Sequence, residues 1–117
     1  MTAAQTTTND AKRNHDIAQI AKAMGHHARV EILRFLARRN SCFCGDIVDE
    51  LPLAQSTVSQ HLAELKRAGF IRGTVEGKRV CYCIDRKGIL RVQAIVLEFL
   101  EPIVASCEMP GIDDDCC

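Results

Sequence analysis

Tryptophan is absent from this 117-residue chain, and aromatic residues make up only 4% of it. So few large flat side chains argue against a β-sandwich or barrel and for aliphatic packing between helices. No apolar run reaches the roughly 18 residues that a membrane span needs. Residues 1–10, rich in Thr, Ala and Asn, have neither the apolar stretch of a signal peptide nor the arginine-rich pattern of an import sequence, so 1–14 reads as a disordered leader. With no secretory signal, the seven cysteines fit a reducing, cytoplasmic setting, where they serve as free thiols or ligands. Net charge is also missing, but the zero is a sum of opposites: residues 1–91 carry fifteen basic groups against nine acidic (+6), and residues 92–117 carry six acids alone (−6). A basic body suits a polyanionic partner and an acidic tail suits a solvated segment.

The length allows one domain. We read 15–106 as that domain and 107–117 as an acidic, cysteine-containing tail. Ile17, Ile20, Ala21 and Met24 recur at helical spacing up to Gly25. A second helix is expected over 26–39, with Val30, Leu33 and Ala37, flanked by Ile32 and Leu36, as its apolar stripe. A short helix over 46–51 closes before Pro52. A longer one over 55–68 carries Val58, Leu62 and Leu65 on one side, with Gly69 placed as a C-terminal cap. Residues 70–75 and 79–84 are β-prone runs joined by Glu76-Gly77-Lys78, which reads as a hairpin. From Asp85 a last helix is apolar on nearly every side, so it is expected to pack against its own domain and a second subunit, ending near Glu101 because Pro102 lacks an N–H. The fold class is mainly α with a small β-hairpin: a winged helix-turn-helix that dimerises through terminal helices.

On a wheel at 100° per residue, the side of the 55–68 helix opposite Val58, Leu62 and Leu65 holds Ser56, Gln60 and Arg67, with Thr57 and Glu64 flanking and Ser59 and His61 at the borders. Gln pairs in two places with adenine, Ser and Thr bond to bases or phosphates, and a helix start favours a phosphate. Taken alone, such a face is more often simply solvated. The order of short helix, proline turn, small-polar helix start and basic wing (Arg72, Lys78, Arg79) is what a winged helix-turn-helix needs. The candidate DNA-contacting residues are therefore Gln55, Ser56, Thr57, Ser59, Gln60, His61, Arg67, Lys78 and Arg79.

The runs Gly45-Asp46-Ile47-Val48-Asp49-Glu50-Leu51 and Gln55 through Ile71 closely resemble the ArsR/SmtB family of metal-sensing repressors. The likeness extends back through Met24-Gly25 and Arg29–Leu33 and forward through Glu76-Gly77-Lys78-Arg79 and Tyr82. It implies a homodimeric repressor of double-stranded operator DNA, released by its ligand. The family usually has Asp-Pro where this chain has His26-His27, and Ser where Ala54 stands; both departures concern helix starts.

Cys42 and Cys44 lie directly in front of that DNA-reading pair, and thiolates select thiophilic ions. The pair is similar to the site of the family's arsenic and antimony sensors, which hold a trivalent ligand by three thiolates; Val48 stands where those sensors often have a third cysteine. Arsenite or antimonite is thus the inducer expected from the resemblance, with the third sulfur drawn from Cys116 or Cys117, and Cys107 next in order. Residues i and i+2 point about 200° apart on a helix but to one side of an extended segment, so ligation favours an extended entry. Cys81 and Cys83 share one side of a strand and could hold an ion or form a redox pair, but burial as small hydrophobes is the better reading. Tandem Cys-x-Cys pairs are tighter than usual zinc spacing. Zinc or nickel sites on the last helix are disfavoured because residues 86–107 contain no His. The alternative function is a thiol-redox, reactive-sulfur or cadmium/lead sensor of the same fold; an enzyme is not expected, since no substrate cleft is signalled.

Overall fold

The structure, a computed structural model, describes residues 8–39, 42–45, 47–51 and 54–107. In chain order these form α1 (Thr8–Met24), α2 (His27–Arg38), α3 (Ile47–Glu50), α4 (Gln55–Arg67), β1 (Ile71–Glu76), β2 (Arg79–Ile84) and α5 (Arg86–Ser106). α1 packs on α2, α4 and α5, α2 on α4 and β2, and α3 and β1 on α4. The core between them is aliphatic: Ile20, Ala23, Ile32, Leu36, Val58, Leu62, Leu65 and Val92, closed by Phe43, Phe70 and Ile71.

Several elements depart from the expected ones. α1 starts at Thr8, so residues 8–14 are helix and not leader. Ala11, Lys12 and Arg13 are good helix formers, and Asp10 in the first turn complements the positive end of the helix dipole. Its buried side is Ile20 and Ala23, while Met24 is exposed. α2 buries Ala28, Ile32 and Leu36, spaced i, i+4, i+8; Val30 and Leu33 become the half-buried flanks and Ala37 is exposed. His26 caps this helix, its Nδ1 accepting the Ala28 N–H at 3.0 Å, and so replaces the usual acidic cap. α5 does not stop before Pro102 but runs through it to Ser106. An interior proline costs about 3 kcal/mol, but stopping at 101 would forfeit the last turn, which is closed by Ser106 Oγ donating to the Ile103 carbonyl at 2.8 Å and the Cys107 N–H donating to Val104 at 3.1 Å.

The end of α4 follows expectation. Gly69 has φ +90°, the Phe70 N–H donates to the Leu65 carbonyl and the Gly69 N–H to Lys66, which is the paired arrangement of a Schellman cap. Phe70 is thereby turned into the core and the chain enters β1. Gly88, in the first turn of α5, faces the Gly69 carbonyl so closely that a Cβ has no room. Asp85 caps α5, its carboxylate accepting the Gly88 N–H at 3.0 Å.

β1 and β2 pair antiparallel from Ile71↔Ile84 to Glu76↔Arg79 around the two-residue turn Gly77-Lys78, where Gly77 supplies the positive φ of +64°. A third segment joins this hairpin. Phe43 bridges Tyr82: the Phe43 N–H donates to the Tyr82 carbonyl at 2.8 Å and the Tyr82 N–H returns the bond at 2.9 Å. Cys42-Phe43-Cys44 is thus extended along the outer edge of β2 and lies outside α3.

Candidate DNA interface and cysteine site

On α4, Ser56, Ser59, Gln60 and Arg67 are exposed and Thr57 is half-buried. Ala54 provides no side-chain cap, so the first N–H groups of the helix have no side-chain acceptor from it and suit a phosphate oxygen. Arg67 is at the other end of the helix, its Nη1 donating to Glu64 Oε1 at 2.6 Å, while Lys22 Nζ lies 3.6 Å from the same oxygen. Partial burial pushes the Glu64 carboxyl up, but the Arg67 hydrogen bond and the charges of Lys22, Arg67 and Arg29 outweigh it and hold it below its ordinary range. Lys78 and Arg79 stand exposed at the wing tip and Arg72 exposed at its base.

His61 departs from the expected contact set. It is buried, with its ring 4.4 Å from that of His26, because position 61 falls on the edge of α4 that turns towards the start of α2. Burial, then the neighbouring charges of His26 and Arg29, hold its imidazole below the ordinary range. It serves the packing of α4 on α2.

The four cysteines nearest the DNA-reading pair form a ladder. An antiparallel pair that exchanges both hydrogen bonds, here Phe43 and Tyr82, is flanked by non-hydrogen-bonded pairs whose Cα atoms approach to about 4.5 Å. Those flanking pairs are Cys42 with Cys83 and Cys44 with Cys81, at Cα separations of 4.4 and 4.0 Å, and each pair is joined as a disulfide. Cys81 and Cys83 are buried and Cys42 and Cys44 half-buried. The expectation of buried strand cysteines therefore matches their exposure, yet their partners are the very thiols in front of α3. The signal for this pairing was two Cys-x-Cys units of strand period. It was obscured because 42–44 read as a helix entry, not as a strand edge. Cys107 closes α5 and is itself disulfide-bonded; Cys116 and Cys117 lie outside the described residues.

The ladder is charged differently at its two ends. Glu76 Oε2 lies 2.9 Å from Cys81 Sγ and 3.5 Å from Cys44 Sγ. A disulfide sulfur carries no proton, so these are contacts in the bonded form and become hydrogen bonds when the thiols are free. Cys44, Glu76 and Cys81 also bring three ligand atoms within 4.8 Å of one another. At the other end Cys42 and Cys83 line a cavity of about 510 Å³ with Arg39, Arg72 and Arg86.

An α-helical body, a helix pair with a polar outer helix, and a basic two-stranded wing define a winged helix-turn-helix transcription regulator. Residues 26–72 match the family described as "Bacterial regulatory protein, arsR family". The chain is 46% identical over 61 residues to an uncharacterised HTH-type transcriptional regulator of Methanocaldococcus jannaschii, covering 51% of this chain and 67% of that one. It is 32% identical over 88 residues to the transcriptional repressor PagR of Bacillus anthracis, covering 75% and 84%. The homodimeric winged helix-turn-helix DNA-binding domain of Mb0332 from Mycobacterium bovis shares the fold, with a TM-score of 0.64 at 24% identity over 88% of this chain and 94% of that one. The chain belongs to the arsR family of bacterial regulatory proteins.

Proposed function

We propose that the chain is a cytoplasmic, homodimeric repressor that leaves its double-stranded operator when trivalent arsenic or antimony is captured by cysteine thiolates. The observation behind this reading is the ladder. Cys42 and Cys44, in front of α3, each face a wing cysteine across one backbone bridge, so among the described residues Cys81 or Cys83 is the nearest source of the third sulfur. Cys116 and Cys117 are the competing source. Gln55, Ser56, Thr57, Ser59 and Gln60 at the start and outer face of α4 are assigned to the groove, and Lys78 and Arg79 to phosphates, with Arg67 and the buried His61 at the margin of the contact. Pulling three sulfurs onto one pyramid would shift the segment before α3 against the wing; the first leads into the helix pair that presents α4 and the second carries Lys78 and Arg79. The reading needs the ladder reduced.

The two disulfides favour a second reading, in which oxidation or reactive sulfur closes the pairs and alters the grip on DNA. Mass spectrometry of protein released from a fluorescent operator separates the two. Added arsenic without loss of other thiol protons supports metalloid capture; loss of two hydrogens per pair with no added atom supports oxidation and sinks the metalloid reading. Arsenite is expected to weaken operator affinity within the roughly 5- to 150-fold span of ordinary allosteric coupling.

A further inference from the structure

Cys42 and Cys83 open onto a cavity whose wall carries Arg39, Arg72 and Arg86 and, among the described residues, no carboxylate. Arg39 is held there by the rings of Phe43 and Phe35, 4.8 and 5.5 Å from its guanidinium carbon. Arg72 is the cross-strand partner of Cys83, and Arg86 begins α5. Among the described residues none of the three forms an ion pair. The second pair, Cys44 and Cys81, faces the Glu76 carboxylate instead. Two chemically identical sulfur pairs, two residues apart on the same strands, therefore meet opposite fields.

We propose that Cys42–Cys83 is an exchange site for a small anionic thiol, whose acid group the three guanidiniums receive. The incoming thiolate attacks Sγ of Cys42, the less buried residue of the pair; a bond forms between them as the Cys42–Cys83 bond breaks, and the electron pair leaves on Cys83 Sγ beside Arg72. A second small thiolate attacks the small-thiol sulfur of the mixed disulfide, releases the oxidised small disulfide and leaves Cys42 as a thiolate. Two small thiols are oxidised to one disulfide and one protein disulfide is reduced to two thiols. Glu76 repels the same reagent from Cys44–Cys81, so the ladder opens from one end. This deepens the proposed function, which needs free thiols, but its test reads no DNA and no metalloid, so either idea can fail alone.

The test uses the oxidised full-length protein at low salt, treated with 2-mercaptoethanesulfonate or with cysteamine at matched thiolate concentration. Thiols are trapped by alkylation and each pair is followed by peptide mass spectrometry. The sulfonate is expected to open Cys42–Cys83 about tenfold faster than the cationic thiol, the low end of electrostatic rate enhancement, and the preference to collapse in about 0.5 M salt. Arg39→Gln with Arg72→Gln and Arg86→Gln should abolish the preference at Cys42–Cys83, with the far-ultraviolet spectrum unchanged. Glu76→Gln should raise the sulfonate rate at Cys44–Cys81 alone. Equal rates for the two thiols at Cys42–Cys83, or a preference that survives the arginine changes, would overturn the proposal.

Discussion

Single residues show where this small domain concentrates its stability and its pH response. Leu65 is fully enclosed at the centre of the α4 face, and Leu65→Ala is expected to cost about 2–5 kcal/mol, read as a lowered urea midpoint. His61 acts differently. Its folded value lies below the ordinary 6.5, so as pH falls through that range the unfolded chain binds more protons than the folded one and stability drops. The Glu64 carboxyl beside it is held down, so its own contribution is lost only at lower pH. The melting temperature should therefore fall between about pH 7.5 and about pH 5.5, and fall less in His61→Gln. Parallel melting curves for the two proteins would show that His61 is not the group responsible.

Elements differ in how far they could be read from neighbouring residues. The turn at Gly77-Lys78 and the cap at Gly69 are local chemistry, since each needs a positive φ that glycine supplies, and both stand where the sequence puts them. The penalty of Gly69→Ala is purely conformational, because nothing lies within 4 Å of a Cβ there; about 1–2 kcal/mol is the expected loss of stability. The α1 and α2 faces were less legible, because apolar residues on adjacent sides leave the winner to whichever neighbour packs against them. The two halves of the ladder were legible as separate Cys-x-Cys pairs, but their pairing was not. The Phe43–Tyr82 bridge joins residues 39 positions apart, and the strand period within each segment does not say which segment it faces. For DNA the wing makes the sharper element test. Lys78→Ala and Arg79→Ala should each weaken operator binding and flatten the dependence on log salt by about 0.9, as loss of one phosphate contact requires. An unchanged slope would remove the wing from the interface.

Across the described residues, the apolar side of α5 is left uncovered. Leu97, Phe99, Leu100, Ile103 and Val104 are each more than two-fifths exposed, on a helix about 30 Å long. The Mb0332 domain, which shares the fold, is homodimeric, and the proposed dimer would cover this face with a second copy. Leu97→Glu with Ile103→Glu should yield monomers in sedimentation with α-helical content retained; dimers of undiminished stability would place the interface elsewhere. In the proposed repressor a dimer also matters for the switch, because two DNA-reading helices held by one interface would turn a local shift at the ladder into loss of two half-sites. The most direct check is operator affinity of the fully reduced protein with and without arsenite, compared with Cys81→Ser, Cys83→Ser protein. The wild type should release DNA, and the variant, which keeps Cys42, Cys44, Cys107, Cys116 and Cys117, should bind DNA normally and respond weakly or not at all. Undiminished release by the variant would show that the wing sulfurs take no part.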